Sequence, residues 1–501
     1  MALLHSPARV YTRNDPMTRR QMFPALAAGL RLARAATRAP NFLFILTDDH
    51  RYDFAGALGH PWLKTPGMDR LVREGVLFRN AFVTTSLCSP SRASILTGLY
   101  MHAHRVVDNF TPFDPKLPTF PALLREAGYR TAFIGKWHMG GESDEPRPGF
   151  DHWVSFRGQG EYFDPELNRN GTRTRVRGYI TDVLTAEAEQ FLSQTAGRPF
   201  LLYLSHKAVH YDFQPAPRHR HLYACDPIPL PSTMPFREED YRQKPEWILR
   251  RRYSRQGVDG LFGHQMTFEA AYRNYCRSLM AVDESVSALL AALEKHKLAD
   301  NTIVIYMGDN GYMWGEHGLL DKRSMHEPSI RVPLIVWAPA LFRPAVREEM
   351  VLNLDLAPTF LEAAGITPRS PMHGRSLLPL LRGEQPPWRT DFLYEYEWEF
   401  DFPYTPTLVG LRTARYSYCQ SLGVWDKDEL YGLTADPEQR HNLLGDVKVG
   451  LRRGRLVEQI PDPALKELVR DLQRRIYEIL RTTGGDPRRS GLTPEGHAYA
   501  L

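Results

Sequence analysis

The chain has 501 residues, 43% apolar and 24% charged, an ordinary balance for a globular protein and enough length for a large core domain with a smaller companion. Its net charge of +5 hints at nucleic acid, but residues 1–40 hold seven arginines against the single acid Asp15, so the rest is close to −1. No basic helix or RNA-binding motif follows, and no apolar run reaches the ~18 residues of a membrane span, so the sequence argues against both nucleic-acid binding and a spanning helix.

The leader contains MTRRQMFPALAAGL from Met17, paired arginines ahead of a short apolar run and small residues, like a twin-arginine export signal. Arg31 and Arg34 interrupt the apolar stretch, which leaves a disordered N-terminus as the other reading. On the export reading the protein is periplasmic or secreted. Four cysteines (88, 225, 276 and 419) are too few for a disulfide framework.

From residue 40 strands and helices alternate, the pattern of an α/β protein whose large, mixed sheet is flanked by helices. Buried strands are expected at 41–46 (NFLFIL), 130–135 (RTAFIG), 199–205, 301–308 and 332–339. Helices are expected at 90–100, at 120–129 closed by Gly128, and at 274–298, where Leu279, Val282, Val286, Leu289 and Leu293 recur at helical spacing. Proline and glycine thicken at 381–390, which divides the chain into a leader (1–39), a large domain (40–385), a smaller C-terminal α+β domain (386–483) and a tail (484–501) expected to be disordered. Leu465, Leu468, Leu472, Ile476 and Ile479 outline a last helix before that tail.

Each long strand ends in a polar burst: TDDH after the first, GKWH after 130–135, SHKAVH after 199–205 and GDNG after 301–308. In open α/β sheets ligands bind beyond the carboxyl ends of the strands, so four such bursts point to one site assembled from distant sequence. Asp48, Asp49, Asp309 and Asn310 offer hard oxygen ligands suited to Ca²⁺ or Mg²⁺ rather than zinc. A single Asp-Asp pair is as well explained by loop solvation or helix capping; the second acidic strand end is what favours a metal. Lys136, His138, His210, Lys322 and Arg92 add cationic and proton-carrying groups suited to a compact oxyanion. Cys88 sits at the mouth of the helix that carries Pro90 and Arg92, a polarised cysteine at an anion-friendly end.

CSPSRASILTG (88–98) resembles the type I sulfatase signature, Cys-x-Pro-Ser-Arg followed by Leu-Thr-Gly. PNFLFILTDDHRYD, GYRTAFIGKWHMG, PFLLYLSHKAVH, IVIYMGDNGYMWGEHG and DKRSMHEPSIRVPLIVWAP resemble further blocks of that family in its order, and ELYGLTADPEQRHNL matches in the C-terminal region. The resemblance implies an alkaline phosphatase-like fold and hydrolysis of sulfate esters. It also implies that a maturation enzyme converts Cys88 to Cα-formylglycine, whose hydrate is the nucleophile. By the same resemblance one Ca²⁺ is held by Asp48, Asp49, Asp309, Asn310 and the residue formed from Cys88. Arg92 and Lys136 hold the formylglycine oxygens, His138 is the base that regenerates the aldehyde, and His210 with Lys322 bind sulfate and protonate the leaving alcohol.

Two positions depart from the family pattern. Val209 precedes His210 where proline is common, leaving His206 as a second candidate, and His50 stands where many members have glutamine. The motifs look closest to carbohydrate sulfatases resembling N-acetylglucosamine-6-sulfatases, which implies a sulfated small molecule or glycan as substrate. Tyr396, Trp398, His373 and Trp425 are candidate sugar contacts, and the arginines at 169–177 and 250–255 are either glycan contacts or solvated loop charge. A phosphonate or phosphate monoester hydrolase of the same superfamily, or an inactive sulfated-glycan binder, are the competing readings.

Overall fold

In the computed structural model residues 39–492 are described, apart from 142, 196, 262–265, 423–425, 448–456 and 491. The expected export signal falls on residues 1–38, outside the described residues, as does Trp425.

Ten strands form the main sheet: β1 (Asn41–Thr47), β2 (Val76–Phe82), β3 (Arg130–Gly135), β4 (His152–Ser155), β5 (Glu166–Arg169), β6 (Thr172–Arg175), β7 (Phe200–Ser205), β8 (Thr302–Gly308), β11 (Leu334–Trp337) and β12 (Ala345–Leu352). A two-residue ribbon, β9 (Met313–Trp314) with β10 (Leu320–Asp321), lies between β8 and β11 in sequence. The spatial order of the sheet is β12-β2-β11-β8-β1-β7-β3-β4-β5-β6. β8, β1, β7, β3 and β4 run parallel, while β11, β5 and β6 pair antiparallel with their neighbours, so the sheet is mixed.

β1 is buried on both faces, as a central parallel strand must be, and its period-2 alternation feeds two apolar clusters. Phe42, Phe44 and Leu46 join one cluster, and Leu43 and Ile45 join the other. Helices α2 (Cys88–Thr97), α3 (Phe120–Glu126) and α6 (Leu356–Ala363) cover the first face; α1 (Pro66–Glu74), α4 (Ile180–Ser193) and α5 (Phe268–Lys295) cover the second. α5 begins six residues before its expected start because Thr267 caps it, its hydroxyl accepting from the Ala270 N–H at 3.1 Å.

A four-stranded antiparallel sheet follows: β13 (Asp391–Tyr396), β14 (Thr407–Thr413), β15 (Tyr416–Leu422) and β16 (Glu429–Gly432). Its inner face joins the first cluster, where Phe392 lies 5.2 Å from Phe82 between ring centres. The last helix, α7 (Pro463–Thr483), buries Val469, Leu472, Ile476 and Leu480, a stripe rotated from the expected one, with Leu465, Leu468 and Ile479 only partly covered. The expected disorder from residue 484 does not hold for the first residues of the tail: Gly484 caps α7 at φ 82, Pro487–Ser490 forms a helical turn, and Leu492 is buried. No helix among the described residues is long and apolar enough to cross a membrane.

One backbone approach sets the site's frame. Gly135 ends β3 at φ +118, paired with Ser205 of β7, and a Cβ there would lie 1.8 Å from the Ser205 carbonyl oxygen. Only glycine tolerates both the left-handed backbone and the contact. Gly135→Ala is expected to cost at least about 2 kcal/mol, read as a lower urea midpoint at unchanged slope. A loss below about 0.5 kcal/mol, the range of neutral surface changes, would refute this close approach.

Candidate functional site

In the sheet β8, β1, β7 and β3 are consecutive neighbours, so their four polar ends lie side by side although Asp49 and Asn310 are 261 positions apart in the chain. Asp309 and Asn310 follow β8, Asp48 and Asp49 follow β1, His210 lies beyond β7, and Lys136 and His138 follow β3. Backbone bonds hold the loops together: Asp48 N–H donates to the Ala208 carbonyl at 3.0 Å, and Asp309 N–H donates to that of Thr47 at 2.9 Å. Asp49, His138, Asp321 and Arg323 all adopt left-handed backbone at φ 55, 58, 70 and 72. Such conformations persist in non-glycine residues only where the surroundings over-determine them, and here they flank the polar cluster.

Helix α2 delivers Cys88 and Arg92 to the same place. Expected to begin at Pro90, it begins at Cys88, capped at Leu87 without a side-chain bond. The proline still costs nothing, because N–H groups of the first turn have no intrahelical partner. The Cys88 thiol lies 3.4 Å from Asp48 Oδ1 and 3.3 Å from Lys322 Nζ. Arg92 donates through Nε to Asp309 Oδ2 at 2.9 Å, and through Nη1 to the Lys136 carbonyl and Ser205 Oγ at 2.7 and 2.6 Å. Lys136 pairs with Asp48 and donates to Gln159 Oε1 at 2.5 Å; Lys322, just past β10, pairs with Asp49. His210 Nε2 is 3.9 Å from Asp49 Oδ2, whereas His206 turns away and meets Ser285 Oγ at 3.2 Å.

Oxygen atoms of Asp48, Asp49 and Asp309 lie within 4.8 Å of one another. Asn310 Nδ2 donates to Asp49 Oδ1 at 2.6 Å, which leaves Asn310 Oδ1 and Asp49 Oδ2 buried without a hydrogen-bond partner. Two orphaned acceptors in a fully buried, all-oxygen acidic cluster fit a hard divalent cation. Burial raises the Asp49 carboxyl to about 7, with Asp48 and Asp309 adding to it against Lys322. Burial raises Asp309 likewise, with Asp48 contributing. At Asp48 burial also opposes the charge, but Lys136, His210, Arg92 and Lys322 outweigh it and hold the carboxyl well below its usual range.

Cysteine chemistry of the ordinary kind does not suit this pocket. Burial, reinforced by Asp48, pushes the Cys88 thiol far above its usual value. Burial and the neighbouring lysines push His210 well below its own, so a thiolate–imidazolium pair is disfavoured on both sides. His138 is lowered for the same reasons, with its Nε2 2.9 Å from Gln159 Nε2.

Gln159 is the residue that the sequence reading missed. It follows β4, the next strand in sheet order, and bridges Lys136 and His138; extending the strand-end rule by one strand would have found it. His50 is structural, buried with Nε2 3.0 Å from the Phe54 carbonyl and Nδ1 2.9 Å from Tyr306 Oη. Of the proposed sugar contacts, Tyr396 is fully buried and donates to Glu399 at 2.9 Å, and His373 Nδ1 accepts from the Tyr100 N–H at 3.1 Å. Both are framework residues, while Trp398 is exposed. Arg169, Arg173 and Arg175 pair with Glu187, Asp144 and Glu161, and Arg250 and Arg252 pair with Glu246 and Asp259, which leaves them committed to local structure. A cavity of about 440 Å³ opens over the cluster, its lining including His138, Gln159, His210, Tyr312 and Asp321.

A family model for sulfatases matches residues 40–366, and one for the C-terminal region of N-sulphoglucosamine sulphohydrolase matches residues 315–464. An N-acetylglucosamine-6-O-sulfatase of Bacteroides thetaiotaomicron is 31% identical over 87% of this chain and 88% of its own length. A solved structure in complex with its substrate D-glucosamine-2-N,6-O-disulfate superposes with a TM-score of 0.77 at 28% identity, over 90% of this chain and 99% of that one. A phosphonate monoester hydrolase from Silicibacter pomeroyi superposes with a TM-score of 0.72 at 25% identity, over 91% and 98%.

Proposed function

The chain belongs to the sulfatase family, enzymes that hydrolyse sulfate esters, and from that premise we propose that its substrate is a glucosamine 6-O-sulfate unit of a sulfated glycan. The observation that carries the reading is the convergence of Cys88 and Arg92 from helix α2, and Lys322 from beyond β10, on the carboxylates and Lys136 at adjacent strand ends beneath one cavity. The sugar assignment is supported by the relatives that match over most of the chain.

The proposal includes Cys88 as Cα-formylglycine, which would supply a hydrate oxygen as nucleophile in place of an inert thiol. Asp48, Asp49, Asp309 and Asn310 would hold calcium, which would supply positive charge to the sulfate oxygens. Lys322 Nζ already touches the atom that residue 88 presents, so its charge is placed where sulfate must sit. Asp309, fixed by Arg92, is the proposed acceptor of a proton from the hydrate, while Asp48 Oδ1 is the carboxylate oxygen in contact with residue 88. His210 Nδ1 lies 2.5 Å from the Tyr211 carbonyl, so in the neutral ring Nδ1 carries the proton and Nε2 offers a lone pair. On this reading proton donation to the leaving alcohol falls, at rest, to Lys322 rather than to both groups equally. His138, held neutral by burial and bonded to Gln159, is the proposed acceptor in the step that releases sulfate. Export to the periplasm or secretion, through the twin-arginine-like leader, completes the proposal.

The phosphonate hydrolase among the structural neighbours makes monoester chemistry on phosphorus the second reading. Matured protein is expected to release sulfate from N-acetylglucosamine 6-O-sulfate with kcat/KM at least about 10²-fold above that for an aryl phosphonate. A higher value on the phosphonate would decide for the second reading, and no turnover of either by matured protein would leave the glycan-binding one.

A further inference from the structure

The lining of the cavity above the acidic cluster also holds two arginines, Arg255 and Arg323, set among the carboxylates of Asp321, Glu399 and Asp401. Arg323 and Arg255 both stack on the ring of Phe402, with guanidinium carbons 3.6 and 4.6 Å from its centre. Their charges are treated differently. Arg323 is buried and doubly neutralised, by Asp321 at 2.5 Å and Glu399 at 2.6 Å. Arg255 is exposed and donates to the backbone carbonyl of Asp401, and among the described residues no carboxylate lies within ion-pair distance of it. Both line the same cavity as His138 and His210. Buried His138 marks its floor and the exposed Arg255 its mouth.

A guanidinium stacked on an aromatic ring keeps its N–H edge free and pre-oriented for a planar or tetrahedral oxyanion. We propose that Arg255 is a specificity-determining residue that binds a second anionic group of the substrate, a sulfate or carboxylate, while the reacting sulfate occupies the floor. This rests on the sulfated-glycan reading above. The second anion has two sources of the same chemistry: an N-sulfate on the reacting sugar, or the carboxylate of a neighbouring uronate.

The test compares three substrates with matured protein: N-acetylglucosamine 6-O-sulfate, glucosamine 2-N,6-O-disulfate, and a uronate-containing disaccharide bearing the same 6-O-sulfate. The native enzyme is expected to favour one or both of the doubly charged substrates. Arg255→Ala is expected to lower that preference, as a ratio of kcat/KM values, by about tenfold, the scale of one charge-assisted hydrogen bond. Whichever ratio falls identifies the source of the anion. The preference should also shrink with added salt, since the contact is exposed. Arg255→Lys keeps the charge without the fork and is expected to retain part of the preference. A ratio unchanged in Arg255→Ala, or a uniform loss on all three substrates, would overturn the proposal, and so would a lysine variant no better than alanine. If native matured enzyme cleaves none of the three, the sulfated-glucosamine reading itself fails, a result distinct from an unchanged ratio.

Discussion

Cys88→Ala is expected to lower turnover by about 10⁴-fold or more, the scale on which loss of a covalent nucleophile acts. The same loss is expected in the unaltered chain when it is produced without a maturation enzyme. The physical ground is the state of the thiol. It is fully buried, its ionisation is opposed by burial and by Asp48, and the imidazole within reach is itself pushed toward neutrality. A cysteine in that environment is neither thiolate nor half of a Cys–His pair. Every neighbour suits an oxygen nucleophile better: Lys322 at 3.3 Å and Asp48 at 3.4 Å are hydrogen-bonding partners for hydroxyl groups.

The measurement is paired. Mass spectrometry of the peptide spanning Cys88 should show sulfur exchanged for oxygen with loss of two hydrogens in protein co-expressed with a maturation enzyme, and a free thiol in protein made without it. Sulfate release should track the aldehyde fraction across preparations. Full activity in a preparation whose Cys88 is entirely thiol would sink the formylglycine assignment. Cys88→Ser is a useful control, because it keeps a small hydroxyl at the helix mouth yet cannot form the hydrate; it is expected to stay folded and remain at the level of Cys88→Ala.

How much of this was legible in the sequence follows from what each residue's position depends on. The strand-end residues Asp48, Lys136, His210 and Asp309 could be grouped because β1, β3, β7 and β8 are continuous apolar runs, which read clearly as buried strands. Their adjacency could not be read, since it depends on the order β8-β1-β7-β3 in the sheet. Lys322 was singled out by its family-like block rather than by any period of a strand or helix. It reaches Asp49 because the β9–β10 ribbon folds back over the site, and a two-residue ribbon has too few residues to show a period. β12 was missed for another reason: its first half, Ala345 to Glu349, alternates partly covered and exposed residues at the sheet edge and contains three charges. Charged edge strands of this kind look like loops until their partner is known. The sugar-contact reading of Tyr396 failed because an aromatic strand suits a core as well as a cleft, and only burial separates the two.

Chelation of divalent metal is expected to reduce sulfatase turnover by at least about 10²–10³-fold, the scale of losing one main electrostatic contact to the reacting oxygens. Charge accounting is the reason. Three buried carboxylates, Asp48, Asp49 and Asp309, face three cations, Lys136, Lys322 and Arg92, so these side chains by themselves are close to neutral and give little attraction to an anionic ester. A divalent ion makes the cluster net positive. Calcium is expected to restore more activity than magnesium, because three carboxylates and an amide oxygen form a protein-rich cage, whereas magnesium keeps several waters. Zinc is expected to restore little at an all-oxygen site.

Binding should also be visible without turnover. Calcium at a hundredfold excess over Kd is expected to add about 2.7 kcal/mol of stability. Asp49→Asn and Asp309→Asn should each remove most of that gain. The pH dependence has a definite sign. With the Asp49 carboxyl raised to about 7, calcium must displace its proton below that pH, so the apparent Kd should rise roughly tenfold per unit as pH falls below about 7. Above it, where the carboxylate is already ionised, the dependence should flatten. Calcium titrations followed by calorimetry across that range are the check. A Kd independent of pH, or a stability gain that survives Asp309→Asn, would place the ion elsewhere and leave the carboxylates to orient Arg92, Lys136 and Lys322 alone.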